Sequence, residues 1–212
     1  MKRKIGILLA TAALPLTLAG CFTQGADGAD ALRVALQFNP VAEFSPYSDD
    51  AVLVTRAGGV EMLVGMDEDG VAVPELAESW EVKDARTVVF TLPEGVTFQD
   101  GTPVDGESVA NSLSRSIGAA ARPKGLGSNT LEATDTGERE ITVTSDKDDP
   151  IRVNRFADPG TMILSPGVYT GEAPDPFGHG TGPFTLTTKN PDGTVSAEAF
   201  ADYRLGAPPP RR

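Results

Sequence analysis

Hydrophobic and polar positions change period several times along the chain, and each change predicts an element. Leu32, Val34, Leu36 and Phe38 alternate with polar or small residues, the two-residue period of a half-buried strand, and Asn39-Pro40 ends it. Ser48-Asp49-Asp50 offers capping oxygens and negative charge to a helix start. Val52, Leu53, Arg56, Val60, Leu63 and Val64 follow at partly helical spacing, interrupted by Gly58-Gly59. Asp67-Glu68-Asp69-Gly70 separates two short apolar runs, which predicts a hairpin whose turn glycine takes positive φ. Trp80–Lys83 and Thr87–Leu92, rich in β-branched and aromatic residues, flank Asp84-Ala85-Arg86 and predict a second hairpin. Beyond the turn at Asp100-Gly101-Thr102-Pro103, Asp105 caps a helix that carries Val109, Leu113 and Ile117 on one face. Leu131–Thr134 pairs with Glu140–Thr144, Thr161–Leu164 reads as a short apolar strand, and Phe184–Thr188 pairs with Thr194–Phe200 across Asn190-Pro191-Asp192-Gly193. The sum is an α+β chain, a hairpin-rich mixed sheet with a few helices. Its 23 glycines and 17 prolines agree with many turns and few long helices.

The first 21 residues follow another rule. Lys2, Arg3 and Lys4 precede an apolar stretch from Ile5 to Leu18, and the small residues Ala19 and Gly20 precede Cys21. This is the three-part pattern of a secretory leader, shorter than the roughly 20 apolar residues of a membrane span. Leu18-Ala19-Gly20-Cys21 also resembles the bacterial lipobox, which implies cleavage before Cys21 and attachment of lipid to its thiol. Two or more acyl chains hold a protein stably to a bilayer. The expected organisation is a lipoprotein leader at 1–20, a polar tether at 21–30 and a folded part at 31–212, placed outside the cytoplasm and anchored to the cell membrane. With its one cysteine acylated, the chain has no intrachain disulfide and no thiolate metal site.

Charge narrows the function classes. The full chain carries a formal net charge of −12. Removal of residues 1–20 takes Lys2, Arg3 and Lys4 and leaves 15 basic against 30 acidic residues, a net charge near −15. Nucleic acid needs a basic face, so it is not the expected partner. The adjacent acid pairs Asp49-Asp50 and Asp148-Asp149 read as solvated loop and cap residues. His179 is the only histidine, and the chain has no G-x-S-x-G elbow, no S-x-x-K and no phosphate-binding G-x-x-x-x-G-K-[ST]. These absences give no motif for an enzyme, a metal or a cofactor, and none is expected; a secreted hydrolase is a third reading, set low by the four motifs that follow.

Four segments, in order, carry a family likeness: PELAESWEV at 74–82, GVTFQDGTPV at 95–104, GESVANSLSR at 106–115 and GTGPFTL at 180–186. Together they resemble the family 5 extracellular solute-binding proteins of ABC importers, the peptide- and nickel-binding type. The resemblance implies an incomplete first lobe of a two-lobed periplasmic-binding-protein-like (type II) fold. Partners would be an oligopeptide or related solute, a permease and an ATPase. Three positions depart from the family pattern: Phe184 stands for a tyrosine, Ser108 for an acid, and Arg204-Leu205 for Trp-Gly in a Y-W-G-G motif. Trp80 is expected to anchor the core of the hairpin layer. Phe38, Asn39, Gly182 and Phe184 are the candidate ligand contacts, at a strand end and on a glycine-rich backbone, with packing support as their other reading. Two roles follow: a peptide-binding lipoprotein of an importer, or a truncated, non-transporting fragment that acts at most as a surface interaction protein. The solute stays open between peptides, nickel chelates and others.

Overall fold

The computed structural model describes residues 36, 38–137, 139–170, 174–191, 194–206 and 208. The leader at 1–20, Cys21, the tether at 21–30 and most of the strand expected at 32–38 lie outside those residues. The described chain opens with loop 38–50 and helix α1 (Ala51–Arg56), which ends where Gly58 takes φ 74°. A small hairpin follows, β1 (Val64–Met66) with β2 (Ala72–Pro74), around the predicted Asp-Glu-Asp-Gly turn. The Asp67 carboxylate accepts from the amides of Asp69 and Val71, and Gly70 sits at φ 75°.

Four strands then build the main sheet: β3 (Ser79–Val82), β4 (Thr87–Thr91), β5 (Leu131–Gly137) and β6 (Glu140–Ser145), in the order β3-β4-β6-β5 and antiparallel throughout. Trp80, Phe90 and Ile141 stand in register across three strands, with Val82, Val88 and Val143 beside them. Helix α2 (Gly106–Ile117) contributes Val109, Ala110 and Leu113 to the same core. Its start follows the sequence expectation. Asp105 accepts from the Ser108 amide at 2.8 Å, and the Asp105 amide donates back to the Ser108 hydroxyl at 3.0 Å. Ser108, where the resemblance leads to an acid, thus closes the reciprocal cap together with Asp105.

Two expectations change. Trp80, on the edge strand β3, packs against the main core but is only half-buried; the aromatic residues fully enclosed in the core are Phe90, Phe98 and Phe156, and Phe90 meets Phe156 edge-on at 5.4 Å. Thr161–Leu164 is not a strand. It is a 3-10 turn at Pro159–Thr161 followed by chain whose amides go elsewhere: Ile163 donates to the Glu61 carbonyl at 2.9 Å and Leu164 to the Ser112 hydroxyl at 3.0 Å. Its apolar character is that of a buried connector, with no strand partner.

The last hairpin, β7 (Phe184–Lys189) with β8 (Val195–Ala199), shares a second core with α1, in which Leu53, Val54, Val60, Met162, Leu164 and Leu186 are all buried. The backbone bonds from Phe184 to the Gly58 carbonyl and from Gly182 to the Gly59 carbonyl join the two elements.

Candidate functional site

An open cavity of about 870 Å³ lies among the described residues. One wall is the loop that leads into α1, with Phe38, Val41, Pro46, Tyr47 and Val52. The other comprises Ala121–Lys124, just past α2, and Asp158–Gly160. The surface is therefore aromatic and apolar, with charges at four places: Asp49, Arg122, Lys124 and Asp158. Lys124 and Asp49 meet across it at 3.2 Å, both largely exposed.

The first wall is shaped by Asp50. Its carboxylate is wholly buried and accepts from the backbone amides of Val41 (3.0 Å), Ala42 (2.7 Å) and Phe44 (3.1 Å). These bonds curl the loop back on itself, and Glu43 and Phe44 adopt positive φ of 52° and 66°. Asp50 occupies the cap position of α1 yet makes no side-chain cap bond, and its own amide donates to the Ser48 hydroxyl at 3.1 Å. Phe44 packs on Phe177 at 5.2 Å, and the Lys189 ammonium lies 4.8 Å from the Phe177 ring while bonding Asp175 and the Glu43 carbonyl.

The second wall rests on another buried acid. Arg155 bonds Asp149 through Nε at 2.5 Å and Nη2 at 3.1 Å, and its Nη1 donates to the Gly125 carbonyl at 2.9 Å. Asp158 accepts from the amides of Gly125 and Gly160 at 2.7 and 2.8 Å, which closes the turn holding Lys124. Of each adjacent acid pair expected to be solvated, one member is enclosed: Asp50 and Asp149 are buried, whereas Asp49 and Asp148 are exposed.

Beneath the cavity the Tyr47 hydroxyl is buried beside Tyr169 and Ser116 without hydrogen-bond geometry to either, and burial pushes both tyrosine hydroxyls above their ordinary value. Tyr169 does bond Ser112 at 2.9 Å and lies under the Arg115 guanidinium at 5.4 Å. Arg122 donates through Nη2 to the Asn129 carbonyl at 2.8 Å, and its Nε is buried and unpaired.

The four residues singled out from sequence lie in two places. Phe38 lines the cavity and Asn39 is exposed next to it in the chain. Gly182 and Phe184 lie at the junction of α1 with β7. A Cβ on Gly182 would stand 2.3 Å from the Gly58 carbonyl oxygen, so only glycine allows that approach. Phe184 packs its ring over Gly58. Gln99 secures the junction: its amide nitrogen is 3.0 Å from each of the Gly59, Gly182 and Phe184 carbonyls. Tyr47, Arg122 and Lys124 escaped the sequence reading. For the two basic residues the one local signal is the Arg-Pro-Lys run three alanines after Gly118, the glycine that ends α2.

The single histidine does find a serine and an aspartate. Ser165 Oγ is 2.8 Å and Asp100 Oδ2 3.2 Å from His179 Nδ1, and Ser165 also bonds Asp100 at 2.5 Å. Both partners meet the same ring nitrogen, whereas a nucleophile relay needs one on each. Burial works to raise the Asp100 carboxyl, but hydrogen bonds from Ser165, Thr102 and His179 together hold it below the usual carboxylate value. The cluster fastens loop 176–182 to the Asp100 turn.

The model for bacterial extracellular solute-binding proteins, family 5, matches residues 71–212. The chain belongs to this family. The family 5 chain is 30% identical over 146 residues to the glutathione-binding protein GsiB of Escherichia coli K12, covering 66% of this chain and 28% of the relative. It is 24% identical over 193 residues to the nickel-binding protein NikA of Staphylococcus aureus, covering 91% of this chain and 38% of the relative. Its fold superposes on a nickel ABC transporter crystal structure from Bacillus halodurans with a TM-score of 0.65 and 29% identity, over 77% of this chain and 34% of the other. The family 5 chain thus spans about a quarter to two-fifths of the length of the curated relatives it matches. Structural neighbours of this two-lobed class bear out the α+β, hairpin-rich expectation for a portion of the fold.

Proposed function

We propose that this chain provides solute-binding surface for an ABC importer outside the cytoplasm, and that its solute is an oligopeptide. The supporting observation is the 870 Å³ cavity with Lys124 and Asp49 facing each other across aromatic and apolar walls. A peptide carries both charge signs and apolar side groups, and an exposed ion pair worth less than about 1 kcal/mol is readily exchanged for a ligand's own termini. Phe38 and Asn39 serve as ligand contacts in this reading, with Gly182 and Phe184 supporting the junction of α1 with β7. The likeness to GsiB, named for glutathione, favours a peptide. The likeness to proteins named for nickel favours a chelate as the second reading.

An open surface leaves much of a ligand in water, so residues 1–212 alone are expected to bind di- and tripeptides more weakly than about 1 µM. The measurement is a titration followed by amide chemical shifts, with a nickel–histidine chelate as the second arm. Shifts at Phe38, Tyr47 and Lys124 with peptide support the assignment, and shifts confined elsewhere overturn it. Tighter binding would show that these residues suffice unaided.

Anchoring through Cys21 belongs to the same proposal, with a permease and an ATPase as partners. Metabolic labelling with a palmitate analogue is expected to mark the wild type and leave Cys21→Ser unmarked. An unlabelled wild type removes the anchor from the proposal.

A further inference from the structure

Val41, 84% exposed, lines two concave surfaces at once: the 870 Å³ cavity and a smaller hollow of about 230 Å³. The hollow is bounded by Pro40, Val41 and Phe44 of the 38–50 loop, and by Lys189, Asn190 and Thr194 from the end of β7 and the turn beyond it. Its polar side chains already have partners inside the protein. Lys189 Nζ donates to the Glu43 carbonyl at 3.0 Å and to Asp175 at 2.9 Å, and it stands 5.7 and 4.8 Å from the Phe44 and Phe177 rings. Asn190 Nδ2 donates to the Thr194 hydroxyl at 2.9 Å and to the Ser196 hydroxyl at 3.2 Å. The loop side of the hollow is fixed as well, by the bonds from Val41, Ala42 and Phe44 to the Asp50 carboxylate. The hollow is thus shaped before a ligand arrives, which spares a ligand the cost of ordering it.

We propose that this hollow is a second subsite of the same binding surface, and that it takes one uncharged, apolar side chain of a peptide running out of the cavity over Val41. The proposal rests on the peptide reading given above. An extended peptide presents residues i and i+2 on one face, about 7 Å apart, so two of its side chains can straddle a single protein side chain. A dipeptide has no i+2 residue and gains nothing from the hollow. The chemistry of the walls selects the occupant. A basic side chain would meet the Lys189 ammonium, and an acidic one would meet the exposed Glu43, which also lines the hollow. An apolar side chain covers Pro40 and Val41 and breaks none of the bonds that Lys189 and Asn190 make.

The test titrates the 212-residue chain with penta-alanine and with pentapeptides in which a single leucine is moved along the alanine chain, followed by amide shifts. Leucine at one position is expected to tighten binding about fivefold or more, as partial burial of its side chain would give. That peptide should also move Val41, Asn190 and Thr194 in addition to Phe38, Tyr47 and Lys124, and its leucine methyls should show transferred contacts to the Val41 methyls. Aspartate or lysine at the same position should bring no gain. Thr194→Asp, which keeps an acceptor for Asn190 at an exposed position, is expected to cancel most of the leucine gain. Pentapeptides that all move Phe38, Tyr47 and Lys124 but show no favoured leucine position overturn the subsite and leave the cavity reading standing. Lysine that gains as much as leucine, or a Thr194→Asp variant with the full gain, also overturns the subsite. Pentapeptides that move none of the cavity residues overturn both readings.

Discussion

Asp50→Ala is expected to destabilise the protein by about 3–5 kcal/mol and to loosen the cavity wall at the same time. The substitution removes the acceptor for three backbone amides, those of Val41 and Ala42 at the part-buried rim and that of buried Phe44, and a buried donor left unsatisfied costs about 1–3 kcal/mol. The same bonds offset the positive φ of Glu43 and Phe44, each a conformation that disfavours a side chain by about 1 kcal/mol or more. Without them the loop has reason to unwind, and Phe44 would leave its contact with Phe177. Urea denaturation measures the loss, with the midpoint falling at constant slope. Asp50→Asn keeps one acceptor oxygen and should lose roughly half as much. A variant with wild-type stability would show that water replaces the carboxylate without penalty.

Asp149→Ala is expected to cost a similar amount, about 3–5 kcal/mol, for a different reason. It strands the Arg155 guanidinium in a place where only 10% of its side chain meets solvent. Arg155 also holds the Gly125 carbonyl, so the turn carrying Lys124 should move as well. Removing both charges is a separate experiment: Asp149→Leu with Arg155→Met fills the space without a lone ion and should recover much of the loss. Thermal melts of the single and double variants distinguish the two outcomes. Equal losses in both would point to shape, with the charge pair irrelevant.

The hairpins were legible because their signals are local. The Asp67–Gly70 turn and the run from Trp80 to Leu92 contain their own strand period and turn residues, and Asp105 with Ser108 carries both halves of a helix cap. Local signals failed where the deciding partner is far along the chain. Asp49 and Asp50 look alike in sequence, yet one reaches Lys124 at the surface and the other is enclosed by its own loop. Thr161–Leu164 has a strand's composition, but its amides are taken by Glu61 and Ser112. Trp80 lies on an edge strand, a fact of sheet order that no window of sequence contains. The cavity was hidden for the same reason, since its walls come from 38–52 and from 121–160. Arg204 showed only as a departure from a motif; the acid it bonds, Glu61, is far back in the chain.

The order of the main sheet has a bearing on how copies of the protein behave together. β3 and β5 are its margins, and an unguarded margin invites a strand from a neighbouring molecule. Here β5 breaks register between Asp135 and Gly137, with Glu132 and Asp135 both exposed, while on β3 the exposed Glu81 pairs with Lys83 just past the strand end at 2.5 Å. Irregular geometry protects one side and charge protects both. With a chain that repels its own kind through a net charge of −12, many molecules can crowd together without knitting strand to strand into aggregates.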